Sequence, residues 1–73
     1  MSRDRLLKQM VRERFVITLL NGQTFDGLLD RFDSTHLELV DSHQITTEGK
    51  HSIDGRFYLP RVQVAFMQRP EAV

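Results

Sequence analysis

The sequence predicts a mainly β domain, with one N-terminal α-helix followed by a five-stranded, strongly bent antiparallel sheet that closes into a small open barrel. Three observations carry this. The apolar period switches at Arg14, from helical spacing to strict alternation. Asn21-Gly22 then supplies the strongest short hairpin signal, because both residues tolerate positive φ. Gly27 falls in the middle of the second apolar run, where glycine marks a bend, a bulge or a close backbone approach.

The helix is predicted over about residues 3–12, with the barrel over about 14–68 and a short C-terminal tail, all within a single domain of residues 1–73. Ser2 is placed to cap the helix. Leu6, Leu7, Met10 and Val11 share one face, and a helix this short needs an apolar surface to lie on. Phe15, Ile17 and Leu19 alternate with Val16, Thr18 and Leu20 in the first strand. Gln23 to about Asp33 forms the second. Asp33-Ser34-Thr35 is a polar turn, and His36 to Asp41 is the third strand, with Leu37 and Leu39 inward. Ser42 to Gly55 is the most polar stretch and reads as a mobile hairpin extension or loop turning near Glu48-Gly49-Lys50. Arg56 to Leu59 is the fourth strand, ended by Pro60, which has no ladder donor. Val62, Val64 and Phe66 alternate in the fifth. Phe25, Phe32, Phe57 and Phe66 fall where alternation sends side chains into the core.

Composition narrows the function. Seventy-three residues bury only about 60% of the unfolded surface, so a lone monomer is marginal. With no cysteine, neither disulfides nor Cys-based zinc sites are available, which leaves close packing or self-association. The 40% hydrophobic and 27% charged residues are those of a folded chain. No apolar run approaches the roughly 20 residues of a membrane span, and the charged start has no signal-peptide core, so a soluble, cytoplasmic protein is expected. Zero net charge argues against a strong unspecific grip on nucleic acid. That neutrality is uneven: residues 1–14 carry +3, 15–48 carry −5 and 49–73 carry +2. His36, His43 and His51 match no compact metal spacing, and nucleophile and phosphate-loop motifs are absent, so no metal, cofactor or enzymatic activity is expected.

A helix and five short strands leave an SH3-like barrel, an OB-fold or an Sm-like fold, and the leading helix, the tight hairpin and Gly27 favour the last. The run from Phe15 to Asp33, with Gly22, Phe25, Gly27, Leu29 and Asp33 at the family's spacing, resembles the first motif of Sm and Sm-like (LSm) proteins. Leu37, Leu39 and Asp41 resemble that motif's closing strand, and Gly55 to Met67 resembles the second motif. The likeness spans about residues 5–68 and is to a divergent member, of bacterial or phage type.

The resemblance implies an SH3-type open barrel whose copies join edge to edge into a homo-oligomeric ring of about five to eight. Phe57, Tyr58, Leu59, Val62, Val64 and Phe66 would form the seam. It also implies binding of single-stranded RNA around a central pore, in RNA metabolism or regulation. The family's two binding loops fall here on Asp33, Ser34, Thr35 and His36, and on Pro60 and Arg61. Departures are plain. Ser34 and Thr35 have no ring at the stacking position, His36 stands where the family has Asn, and Pro60-Arg61 replaces Arg-Gly. Asp33 reads as a brace for turn N–H groups. The alternative function is a ring-shaped structural or protein-interaction module with little RNA affinity.

Overall fold

A computed structural model describes residues 4–70. Helix α1 spans Arg5–Met10 and is followed by β1 (Arg14–Leu19), β2 (Thr24–Phe32), β3 (His36–Thr46), β4 (Gly49–Ile53), β5 (Phe57–Pro60) and β6 (Val64–Gln68). A 3-10 turn, Arg61–Gln63, joins the last two strands. The sheet is antiparallel in the order β4-β3-β2-β1-β6, and β5 pairs with the other half of β3.

Among the described residues there are thus six strands rather than five. The polar stretch after Asp41 is an ordered hairpin, because β3 runs on to Thr46 and β4 returns along it. Gly55, at φ +75°, breaks the returning chain into β4 and β5. The helix is shorter than its apolar pattern suggests. Leu7, Met10 and Val11 pack on the core, but Leu6 is left 66% exposed. The Ser2 cap lies outside the described residues.

The core is the inward set that alternation selects: Phe15, Ile17, Leu19, Phe25, Leu29, Leu37, Leu39 and Leu59. Phe25 meets Phe57 with ring centroids 4.9 Å apart. Phe32 and Phe57 are half-buried against this core. Phe66 is not a core residue. It pairs with Thr18, on the outer face of β1, while Met67 pairs with the inward Ile17. The register shifts between Thr18 and Leu19, which then faces Val64, so Ala65 is an extra residue. This bulge resets the parity, so Val64 and Met67 turn inward and Phe66 outward. Val62 lies in the 3-10 turn rather than a strand and is 80% exposed.

The bend of the barrel centres on Gly27. Asp26 pairs with His43 and Leu28 with Val40, so two residues of β3, Asp41 and Ser42, oppose the single Gly27. Asp41 takes the left-handed conformation at φ +52°. Arg14 holds that bulge, with Nη1 donating to the Asp41 carbonyl at 3.1 Å and Nη2 to its carboxylate at 2.5 Å. The bulge pushes Ser42 inward, where it is wholly buried and its hydroxyl has no partner. A Cβ on residue 27 would sit 2.9 Å from the Ser42 Oγ and 3.2 Å from the Leu39 Cβ.

On the outer face, Asp26 is buried beneath Arg14, His43 and Lys50, whose nitrogens lie 3.2, 2.8 and 2.8 Å from its oxygens. Burial pushes its carboxyl pKa up, but the bonds and charges of Lys50 and His43 outweigh burial and hold it below the ordinary value.

Gly27→Ala is expected to lower unfolding stability by about 1–3 kcal/mol through overpacking. Ser42→Ala removes an unpaired buried hydroxyl and is expected to be neutral or stabilising. Combined with Gly27→Ala, it should recover part of the loss. Urea unfolding of the three variants checks this, and additive losses in the double variant would refute the close approach as the cause.

Candidate nucleic-acid interface

The turn between β2 and β3 is organised by one carboxylate. Asp33 Oδ1 accepts from the backbone N–H of Thr35 at 2.8 Å, from that of His36 at 2.9 Å and from the Thr35 hydroxyl at 3.0 Å. The Thr35 N–H, then the His36 N–H, then the Thr35 hydroxyl hold this carboxyl below the usual carboxylate range. The expected bracing role is therefore the one the geometry displays. The Asp33 N–H closes the turn onto the His36 carbonyl at 3.0 Å.

The second predicted loop docks on the first. The Arg61 N–H donates to the Thr35 carbonyl at 2.8 Å, and Arg61 Nη1 donates to the Asp33 carbonyl at 2.7 Å. Its other nitrogen, Nη2, reaches Asp4 Oδ1 at 2.7 Å, and its Cζ lies 6.0 Å from the centre of the Phe32 ring. The Asp4 carboxylate raises the guanidinium pKa further. Arg61 is thus a clamp that ties α1 and both turns together. Pro60 stands opposite His36 in the register of β3 and β5. Ser34 is exposed at the tip of the turn.

Beside this junction opens a pocket of about 360 Å³, lined by Arg31, Phe32, Asp33, His36, Glu38 and Tyr58. Asp33 and His36 are the two predicted RNA-binding residues that reach it. Tyr58 joins them from the predicted seam and Phe32 from the predicted core, while Arg31 and Glu38 carry no sequence expectation. Arg31, Glu38 and Tyr58 form a cross-strand row over β2, β3 and β5. Parity on β3 already sets Glu38 on the face of His36, and this is the signal that sequence reading had available. Glu38 is 5% exposed. Its Oε1 accepts from Arg31 Nε at 3.0 Å and its Oε2 from Arg56 Nη1 at 2.5 Å, and the same Arg56 nitrogen reaches Asp30 at 2.8 Å.

The residues proposed for a seam divide. Leu59 is core, and Phe57 and Val64 are half-buried. Tyr58, Val62 and Phe66 are exposed at 54%, 80% and 53%. Among the described residues, β5 is paired by β3 alone and β6 by β1 alone, so each leaves one backbone edge open.

Solved structures with this architecture are close in shape and distant in sequence. The SmAP1 heptamer of P. aerophilum superposes with a TM-score of 0.86 at 18% identity, covering 99% of this chain and 97% of that one. A heptameric archaeal Sm protein gives 0.81 at 19% identity, over 90% and 97% of the two chains. The chain has the Sm-like fold. An Sm-like protein from Archaeoglobus fulgidus agrees, with a TM-score of 0.79 at 20% identity over 96% of each chain. No protein-family model and no curated protein matches the sequence. The sequence and its Sm-like shape thus agree on the barrel, while the identities are low enough that shape alone is shared.

The Asp33 brace has a defined pH response. A carboxyl whose folded pKa is depressed contributes its stabilisation above the ordinary Asp value of about 3.9, and loses it as pH falls through the lower, folded value. The Thr35 and His36 amides are therefore expected to stay protected from hydrogen exchange down to about pH 4 and to lose protection below it. Asp33→Ala should expose both amides at neutral pH. Unchanged protection in that variant would remove Asp33 from the role of brace.

Proposed function

We propose that this chain assembles edge to edge into a homo-oligomeric ring and binds single-stranded RNA where the β2–β3 and β5–β6 turns meet, in RNA metabolism or regulation. The observation that carries the reading is the hydrogen-bonded union of those turns through Arg61, which fixes His36 at the rim of an open pocket. His36 offers a ring for stacking and a nitrogen for hydrogen bonding to a base. Ser34 and Thr35 supply hydroxyls at the same turn, and Pro60 backs His36 from the next strand.

The ring reading rests on the two open edges and on the exposed Tyr58, Val62 and Phe66 that flank them. An unpaired strand edge is an invitation to strand addition, and a ring removes both edges at once. Two of the solved structures of the same shape are heptamers. A copy number in the range of about five to eight is retained here. The reading is of a binding protein, not an enzyme, because the buried Asp26 and Glu38 are each matched by cations rather than by one another. No helix among the described residues is long and apolar enough to cross a membrane, and a cytoplasmic location is part of the proposal.

A second reading, a ring serving as a structural or protein-interaction module with little RNA affinity, is favoured by one observation. The Arg61 guanidinium is taken up by Asp4 and by the Asp33 carbonyl rather than presented to a ligand.

Light scattering and filter binding with mixed-sequence RNA oligomers separate these readings. A ring that binds at micromolar protein supports the first, and a ring that binds nothing leaves only the second. His36→Ala should weaken binding about tenfold without dissolving the ring. Val62→Lys with Phe66→Lys should break the ring into smaller species while leaving the far-UV circular dichroism intact, because both side chains are exposed. A monomeric wild-type protein would sink the ring itself.

A further inference from the structure

Resting on the RNA-binding reading above, we infer that Thr35 is a positioning residue whose hydroxyl holds His36 in the Nδ1–H tautomer, so that Nε2 meets an RNA base as a hydrogen-bond acceptor. The decisive feature is a chain of three groups in the β2–β3 turn. The Thr35 hydroxyl oxygen lies 3.0 Å from Asp33 Oδ1 and 2.9 Å from His36 Nδ1. A hydroxyl has one proton to donate and two lone pairs that accept. It therefore donates across one of these contacts and accepts across the other, and Asp33 decides which. An ionised carboxylate accepts and has no proton to return. Were the hydroxyl proton turned to His36, a Thr35 lone pair would face a charged oxygen at 3.0 Å with no hydrogen between them. The proton thus goes to Asp33, and the Thr35 oxygen accepts from the Nδ1–H of His36.

A neutral imidazole carries a single N–H, so a proton on Nδ1 leaves Nε2 with a bare lone pair. His36 is exposed and lines the open pocket, and among the described residues nothing bonds its Nε2. The backbone under the ring is fixed as well, since Asp33 Oδ1 also accepts the Thr35 and His36 N–H groups. The turn therefore presents an acceptor, held in one place. It matches a base that brings an N–H donor, and a base nitrogen that carries a methyl group gains nothing from it. Free imidazole side chains in water favour the opposite tautomer, with the proton on Nε2. Without the Thr35 hydroxyl, His36 would turn from an acceptor into a donor at the same nitrogen. Thr35 thus sets what the ring can read without touching the ligand itself.

Two measurements test this. Long-range proton–nitrogen NMR correlation, at about pH 8.5 and so well above the ordinary histidine pKa of about 6.5, reads the tautomer of each imidazole. The chain has three histidines, and His36→Ala assigns the signal of this one. The expected result is a protonated Nδ1 and a bare Nε2 in the wild-type protein. A proton on Nε2 there overturns the inference, whatever the variants do. Thr35→Val removes the hydroxyl and keeps both backbone bonds to Asp33, and it should move the proton to Nε2. Thr35→Ser should return it to Nδ1. An unchanged tautomer in Thr35→Val removes Thr35 from the role. The second measurement is fluorescence anisotropy with r(U)6 and the same oligomer methylated at every uracil N3, which share length and charge. Uracil has N3–H as its one base donor, so methylation should weaken binding to the wild type about threefold to tenfold, the scale of one hydrogen bond. The difference should shrink in Thr35→Val and return in Thr35→Ser. Equal wild-type affinity for both oligomers, or a methylation effect that Thr35→Val leaves intact, overturns the acceptor role. Binding of neither also overturns it, and mixed-sequence RNA that still binds would leave the RNA reading standing without it.

Discussion

The barrel depends on one place where two backbones come closer than a side chain permits. At Gly27, β2 meets the Asp41–Ser42 bulge of β3, and the Ser42 hydroxyl crowds to within 2.9 Å of where a Cβ would sit. The bulge turns β3, so that one half of this strand pairs with β5 and the other half with β4. Arg14 stabilises the turn from outside by holding both the carbonyl and the carboxylate of Asp41. Without that bend, β5 and the 3-10 turn after it would not fold back to the β2–β3 turn. The candidate site exists because Arg61 arrives there. A close approach in the sheet thus sets the position of side chains many residues away.

Charge is used up in a similar way. The barrel's cations, Arg14, Arg31, Lys50, Arg56, Arg61 and Arg69, each pair with an acid. Among the described residues, Arg5, Lys8 and Arg12 of the N-terminal segment have no acidic partner. The zero net charge of the chain is therefore not an even dilution but a set of internal contacts that hold strands and turns in register. The exposed pairs contribute little stability each, and their value is positional. Asp26 and Glu38 differ, since a buried carboxylate left without its cations would be strongly destabilising. Affinity for a polyanion must come from a few groups repeated around an assembly, because most of the cations already have partners.

Much of this was legible in the sequence. Period 2 from Phe15 to Leu19, the Asn21-Gly22 turn and Gly27 fixed the first hairpin and its bend, and the Asp33 brace followed from turn chemistry. What escaped was parity across bulges. Ala65 adds one residue to β6, and that single residue sends Phe66 to the surface and Met67 inward. Asp41 does the same in β3, where Ser42 reads as the start of a polar loop but lies wholly buried. Neither bulged position is a glycine, so nothing local announced them. The site was half legible for a related reason. His36 and Asp33 stand out by residue type and turn position, whereas Arg31, Glu38 and Tyr58 join them only through strand pairing. Pairing is a long-range property that a local pattern does not contain.

Tyr58 connects the two halves of the functional reading. It lies on β5, whose outer edge is open, and it lines the pocket with His36 and Glu38. In the proposed ring, the edge of β5 is covered by the β6 of a neighbour, so the wall of the pocket beside Tyr58 is where a second copy arrives. Backbone pairing would use the edge of the strand, whereas the Tyr58 side chain stands off its face, so assembly and base binding do not compete for the same atoms. Assembly would instead restrict the motion of Tyr58 before any ligand binds, and a stacking surface that is already ordered costs less on binding. The short chain, marginal as a monomer, would then gain from its neighbours both the burial it lacks and a firmer site.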